Sequence, residues 1–432
     1  MAELKKITLP DKSILYHISE GMFKSCVFCS DFIYDGTWRD IEDVKILFSV
    51  FSKGTKSYPS AGAVNRRLDD LYSVNLSSRH AAHTFGYVSG YLAEMLDTRF
   101  AEDGTDISLG AMQMMNELTL CPLTDGKGLP DPFRVRLTLD EFYKQYLNIH
   151  ASPRSKAFDN YFARIYADRE EVALDKSFRH ASELKEKTPE SLWSSFQRFQ
   201  ARASRRYGYC GSESPEAIAE KIGRTMGPVS GPASHDFPDG VFSVLNVEPF
   251  DVTEQDRFNQ SELILGFVPG RPFTRDERMK LQLFDLLFGG SPFSKLFMTV
   301  REELGLCYDI SSNFSLYGNH IYVTCALGAE SLQKSKETVV ESLEEMAAGQ
   351  ISEEEMETAR DVLKNDLRTV RDSPEAMLDF VMEYCRGDEE RKPEDLMADL
   401  DRIGRDELVE LAGLLKPVFS YELVGKGGDS GC

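Results

Sequence analysis

The same order of strands and helices runs through this 432-residue chain twice, and that repetition limits the fold more than any other feature. In the first stretch, apolar periodicity predicts strands around residues 4–17 and 23–34, helices at about 40–52 and 61–72, and strands near 73–79 and 82–95. Helices follow at about 106–119, 132–149, 153–168 and 189–205, and the short strand YGYCG closes the set. Residues 224–240, RTMGPVSGPASHDFPDG, are dense in Gly, Pro and Ser, have no period, and read as a linker. The second stretch then repeats the order, with strands near 241–248 and 259–268 and helices at 274–287 and 293–303. Strands at 306–315 and 319–327 precede helices near 329–348, 352–371, 374–386 and 404–415, and VFSYELVG is the last strand. Strands then helices, twice over, predict an α+β chain of two similar domains, each a largely antiparallel sheet with helices packed on it. The domains are expected at 1–223 and 241–426, with 427–432 as a flexible tail.

One segment of the second half carries more chemistry than the rest. GGSPFSKLFMTVREELGLCYDISS, Gly289 to Ser312, reads as a helix ending, a small-residue turn, an amphipathic helix and a strand that carries Tyr308. Together with the repeated plan, it resembles the insulinase (pitrilysin-like) metallopeptidase family in its short two-domain form, and the resemblance covers nearly the whole chain. Gly289-Gly290, Arg301-Glu302, Gly305-Leu306 and Tyr308 match the second-half pattern of that family. In the first half, DGTWRD and SKGT resemble the segments on either side of its active-site helix, and SLGAMQMMNELTLCP resembles the helix before its loop.

The family's active-site helix carries H-x-x-E-H, with both histidines on one helical face as a zinc chelate requires. The glutamate between them acts as general base on a zinc-bound water. Here the helix reads RDIEDVKILFSVFSKGT, and the motif positions fall near Lys45, Phe48 and Ser49. No histidine lies between His17 and His80, so a small shift of alignment rescues nothing, and no zinc site is expected. His80 and His83 form H-x-x-H, but in an alternating strand segment, where residues three apart point to opposite faces. The other histidines are isolated. A phosphate loop of G-x-x-x-x-G-K-[ST] type and a G-x-S-x-G elbow are both absent.

The resemblance implies a role for what remains. In the family, the two halves enclose a chamber in which peptide adds as a strand to a sheet edge, and an arginine and a tyrosine of the second half hold it. Arg301 and Tyr308 match those positions, so they are the expected substrate-binding residues; the structural alternative is an arginine at a helix end and a core-edge tyrosine. Some short family members work as heterodimers, with metal ligands on one chain and the substrate-holding pair on the other. The chain is therefore expected to be a non-catalytic subunit without a cofactor of its own. It would bind unfolded or extended peptide beside a homologous H-x-x-E-H-bearing partner. An autonomous zinc-dependent metalloendopeptidase and a structural or assembly protein without peptide contact are the competing readings.

Composition narrows the partners. The net charge is −21, and residues 241–432 hold 38 acidic side chains against 20 basic ones. Such a body repels nucleic acid phosphates and anionic lipid, so neither is an expected partner. The N-terminal residues lack the apolar run of a signal peptide, and the eight cysteines are scattered within apolar patterns. Only Cys26 and Cys29 have metal or redox spacing, and they lie in a strand. A cytoplasmic protein with free thiols is the expectation.

Overall fold

The computed structural model describes residues 3–34, 38–83, 86–165, 181–227, 244–316, 318–385 and 389–427. In the first half, strands β1 (Glu3–Thr8), β2 (Ile14–Ser19) and β3 (Ser25–Tyr34) precede helices α1 (Trp38–Phe51) and α2 (Ala61–Asp69). The hairpin strands β4 (Asn75–His83) and β5 (Gly86–Leu96) lead to α3 (Ile107–Leu120), α4 (Pro132–Ile149), α5 (Pro153–Ile165), α6 (Ala181–Glu186) and α7 (Pro189–Arg202). Strand β6 (Ser204–Gly211) and helix α8 (Pro215–Thr225) end this half. The second half runs β7 (Phe250–Asp256), β8 (Ser261–Val268), α9 (Arg278–Phe288), a π-helical segment Phe297–Glu303, β9 (Cys307–Ser315) and β10 (His320–Leu327). Helices α10 (Leu332–Ala347), α11 (Glu353–Thr369), α12 (Pro374–Tyr384), α13 (Pro393–Arg402) and α14 (Arg405–Leu414) precede β11 (Lys416–Gly425).

The strands form two sheets, ordered β1-β2-β6-β3-β5-β4 and β7-β11-β8-β10-β9. Without β1, the two orders are the same pattern. Each is antiparallel except at one junction, β2 with β6 and β7 with β11. The doubled α+β plan is therefore present in the strand topology itself.

Each sheet belongs to a compact unit drawn from three stretches of chain. One unit comprises 1–146, 169–240 and 369–392; the other comprises 147–168, 241–368 and 393–432. The sequence places each half in series, whereas α12 joins the first unit and α5 the second. This explains why β6 and β8 are buried along their whole lengths: both are central strands covered on both faces. In the first unit α12 crosses β6 so closely that a Cβ built on Gly208 would lie 2.6 Å from Leu378 Cδ1. In the second unit Gly266 of β8 stands in the same relation to the Tyr161 hydroxyl of α5. Only glycine admits both helices at that distance.

The two helices are anchored differently. Asp31 of β3 is fully buried, with Arg206 of β6 at 3.4 Å and Arg79 of β4 at 3.8 Å. Arg206 donates to the Met382 carbonyl of α12 (3.0 Å), and Arg79 reaches Asp379 of the same helix (3.1 Å). Helix α5 is held by polar contacts that are more exposed, Arg154 to Asp309, about half-exposed, and Lys156 to Asp256, about a quarter to a third exposed. Further along, Asn160, Arg164 and the Tyr421 hydroxyl all donate to Glu254.

Several local expectations need correction. The strand expected near 241–248 is not there: Val244–Asn246 is a 3₁₀ turn and the strand is β7, Phe250–Asp256, while 241–243 lie outside the described residues. The helix expected at 293–303 is π-helical over Phe297–Glu303. The first expected strand, 4–17, is two strands joined at a turn, and α6, α8 and α13 were not anticipated. Most of the expected linker, 228–240, and most of the tail, 428–432, lie outside the described residues.

Candidate functional site

The α1 helix faces the first sheet with Ile41, Val44, Leu47, Phe48 and Val50, all buried. Of the three motif positions, Lys45 and Ser49 are partly buried, and Ser49 uses its carbonyl to accept from the Ser52 hydroxyl (2.8 Å). Phe48 is 1% exposed and sits in an aromatic cluster. It stacks on Tyr91 (centroids 5.0 Å apart, 23° between planes) and meets His80 edge-on at 5.4 Å and Phe199 at 6.3 Å. Such ring pairs are favourable beyond the area they bury. At the position where the resemblance places a general base, the structure has a packed ring.

The nearby imidazole completes the cluster. Burial, with a smaller contribution from the Lys45 charge, pushes His80 down to about 3, so its ring is neutral beside Ser89 Oγ (3.0 Å). His83 turns instead to Glu383 of α12 (3.2 Å). The H-x-x-H pair is thus split across the two faces of β4, as strand alternation requires. Cys26 and Cys29 are likewise buried in β3, and burial is the main cause raising both thiols, Cys26 to about 12. Among the described residues no group of three or more His, Cys, Asp or Glu could hold a metal ion. Lys45, Phe48 and Ser49 supply neither imidazole nor carboxylate, so these positions do not fit zinc.

The second unit offers a different surface. Helix α9 ends at Gly289-Gly290, where both amides donate to the Asp285 carbonyl. Burial pushes the Asp285 carboxyl up to about 7, although the Ser312 hydroxyl of β9 donates to it (2.6 Å). The next turn is wound wide: Leu304 N donates to Thr299 O (3.1 Å) and Leu306 N to Val300 O (2.9 Å). Single π-helical turns are rare and concentrate at functional sites. This one carries Arg301, whose guanidinium carbon lies 4.6 Å from the Phe297 ring centroid. Arg301 Nε is 3.6 Å from a carboxylate oxygen of Glu302.

Strand β9 follows after Gly305 (φ 61°) and forms the sheet edge. Its register with β10 shifts at the start: Asp309 pairs with Ala326, but Cys307 pairs with Leu327. Tyr308 is the extra residue of that bulge, and its side chain is 70% exposed. Bulges re-aim side chains and recur beside active sites. A core-edge tyrosine, the structural alternative, does not describe this geometry. Arg301 and Tyr308 stand seven residues apart on consecutive elements, the π-helical segment and β9. A hydrogen bond with Cys325 and then the Arg301 cation hold the Cys307 thiol below its ordinary value.

Other charged groups border the bulge and were not found from sequence. Arg154 of α5 pairs with Asp309 and reaches Ser311 and Thr324 at 3.4 and 3.3 Å. Burial pushes Glu262 of β8 up to about 7; Arg154 opposes the rise and Asp309 adds to it. These residues come from three separated stretches, so no spacing rule could join them. Phe297 was also missed, although its place four residues before Arg301 was an available signal.

Comparison with known proteins bears on the fold and on the domain likeness. A family model described as the peptidase M16 inactive domain matches residues 206–363. The probable inactive metalloprotease YmfF of Bacillus subtilis is 21% identical over 398 residues, 89% of each chain. A conserved protein of Enterococcus faecalis V583 has the same fold, with a TM-score of 0.85 at 19% identity over 98% of this chain and 99% of that one. A peptidase M16 inactive domain from Pseudomonas fluorescens superposes with a TM-score of 0.76 at 15% identity over 98% of each. The fold is that of M16-like peptidases, and the three expected motif positions carry no zinc ligand. The chain is similar to the M16 peptidase inactive domain over residues 206–363, and to a relative named as a probable inactive metalloprotease over most of its length. Among the described residues no helix is long and apolar enough to cross a membrane.

Proposed function

We propose that this chain is the substrate-holding subunit of a two-chain peptidase, and that a homologous subunit bearing H-x-x-E-H supplies the zinc. The observation that carries the reading is the contrast at the two former half-sites. Phe48, at the expected base position, is a buried ring, while Tyr308 stands 70% exposed on a bulge at the start of the strand that follows the Arg301 segment. A chain that had become pure scaffold has no use for an exposed tyrosine on an edge strand that follows a partly exposed arginine. An extended peptide gives them one: the guanidinium forks onto a backbone carbonyl, and the phenol donates towards an oxyanion developing at the scissile bond.

Co-expression with an H-x-x-E-H homologue tests the proposal. The expected result is a stable complex that cleaves unfolded peptide and loses activity to a chelator. Stoichiometric zinc and peptide cleavage by the isolated chain would show the proposal to be wrong.

A further inference from the structure

Two neighbours compete for the Arg301 guanidinium. The Phe297 ring lies one turn earlier on the same π-helical segment, with its centroid 4.6 Å from Arg301 Cζ. Glu302 follows immediately, its carboxylate 3.6 Å from Arg301 Nε and its side chain half-exposed. These contacts use different parts of the cation. An aromatic ring takes the face of the guanidinium and leaves its five in-plane N–H donors free. A carboxylate consumes the donors themselves.

We propose that Phe297 is a positioning residue: its ring holds the Arg301 fork open towards extended peptide backbone, and limits its approach to Glu302 to the Nε edge, at 3.6 Å and longer than a hydrogen bond. The inference rests on the reading of Arg301 as a peptide contact and adds what makes that contact available. A long, flexible side chain beside an adjacent carboxylate would otherwise spend its donors internally, and a peptide would have to displace Glu302 before binding. Stacking limits that competition without occupying a donor. The segment's winding suits this, because it sets residues 297 and 301 on one face of the turn. Phe297 is only partly buried, so its ring can be exchanged without emptying a core site.

The test uses the full chain and the variants Phe297→Leu, Phe297→Tyr, Glu302→Gln, Phe297→Leu with Glu302→Gln, and Arg301→Ala. The first readout is the Nε–Hε resonance of Arg301 in arginine-labelled protein, assigned by its loss in Arg301→Ala. A ring-current shift is expected in the parent and in Phe297→Tyr, and its disappearance in Phe297→Leu. The second readout is fluorescence anisotropy with a labelled extended peptide of Thr, Gln, Val and Tyr. Phe297→Leu is expected to weaken binding about two- to fivefold, the range of an exposed cation–π contact. Phe297→Tyr should bind as the parent does, and adding Glu302→Gln to Phe297→Leu should restore most of the loss. Equal losses in the Leu and Tyr variants, or no recovery with Glu302→Gln, would overturn the inference. If Arg301→Ala binds like the parent, the peptide role of Arg301 fails instead, and the resonance shift judges the stacking alone.

Discussion

The two units share one strand order and treat the same kind of surface in opposite ways. In the first, the helix that would carry metal ligands turns Phe48 into a cluster with Tyr91, His80 and Phe199. In the second, a bulge leaves Tyr308 in solvent, and a wide helical turn carries Arg301 partly exposed. The first arrangement is packing alone. The second leaves polar groups within reach of solvent. A non-catalytic subunit that handled peptide would need the second and could have packing alone at the first.

Substitutions in the buried unit should therefore cost stability, and the largest costs separate the two regions most sharply. Phe48→Ala is expected to lower unfolding free energy by about 3–5 kcal/mol, the usual range for emptying a buried aromatic site. Phe48→Glu should cost more, because an ionised carboxylate would sit among rings with no partner. Denaturant unfolding of both variants checks this, and a loss below about 1 kcal/mol would mean that the cluster is not structural packing.

The anchors of α12 and α5 give the next contrast. Asp31→Ala leaves Arg206 buried without its carboxylate, and a loss of about 3–5 kcal/mol is expected. Arg154→Ala breaks a pair in which both side chains are about half-exposed, and no more than about 1 kcal/mol should follow. Thermal unfolding at two salt concentrations distinguishes them, since only the exposed pair is screened appreciably.

The pH dependence of stability should also run in opposite directions. His80 is held at about 3 in the folded chain against an ordinary value near 6.5, so the unfolded state takes up the proton first. Its contribution is present above about pH 6.5 and is lost as pH falls towards 3. Asp285 and Glu262 are raised to about 7, so the folded state keeps their protons longer. Their contribution is present below about pH 4 and is lost as pH rises through 7. Urea midpoints across this range should show a shallower acid slope in His80→Gln and a shallower neutral slope in Asp285→Asn. Unchanged slopes would contradict the assignment.

Much of the fold was legible because periodicity and turn residues are local. The α1 stripe, the β4–β5 hairpin and the α12 start at Ser373-Pro374 follow from spacing and capping alone. β7 was misplaced because VFSVLNVEPF has the apolar run of a strand, while FDVTEQD hides its alternation behind edge-strand polarity. The exchange of α5 and α12 was not legible, since only tertiary packing says which sheet a helix covers. Arg301 and Tyr308 were proposed through resemblance, and the want of a zinc motif was read from the missing histidines. The bulge that exposes Tyr308 and the ring beneath Arg301 needed coordinates.

Cleavage by the reconstituted complex with its H-x-x-E-H partner tests the central claim most directly, comparing the parent chain with Arg301→Ala and Tyr308→Phe. The account predicts that the complex still assembles and binds zinc, while turnover of unfolded peptide falls by about 10²–10³ for loss of a donor at the reacting carbonyl. Turnover equal to that of the parent in both variants would contradict it and leave this chain a scaffold.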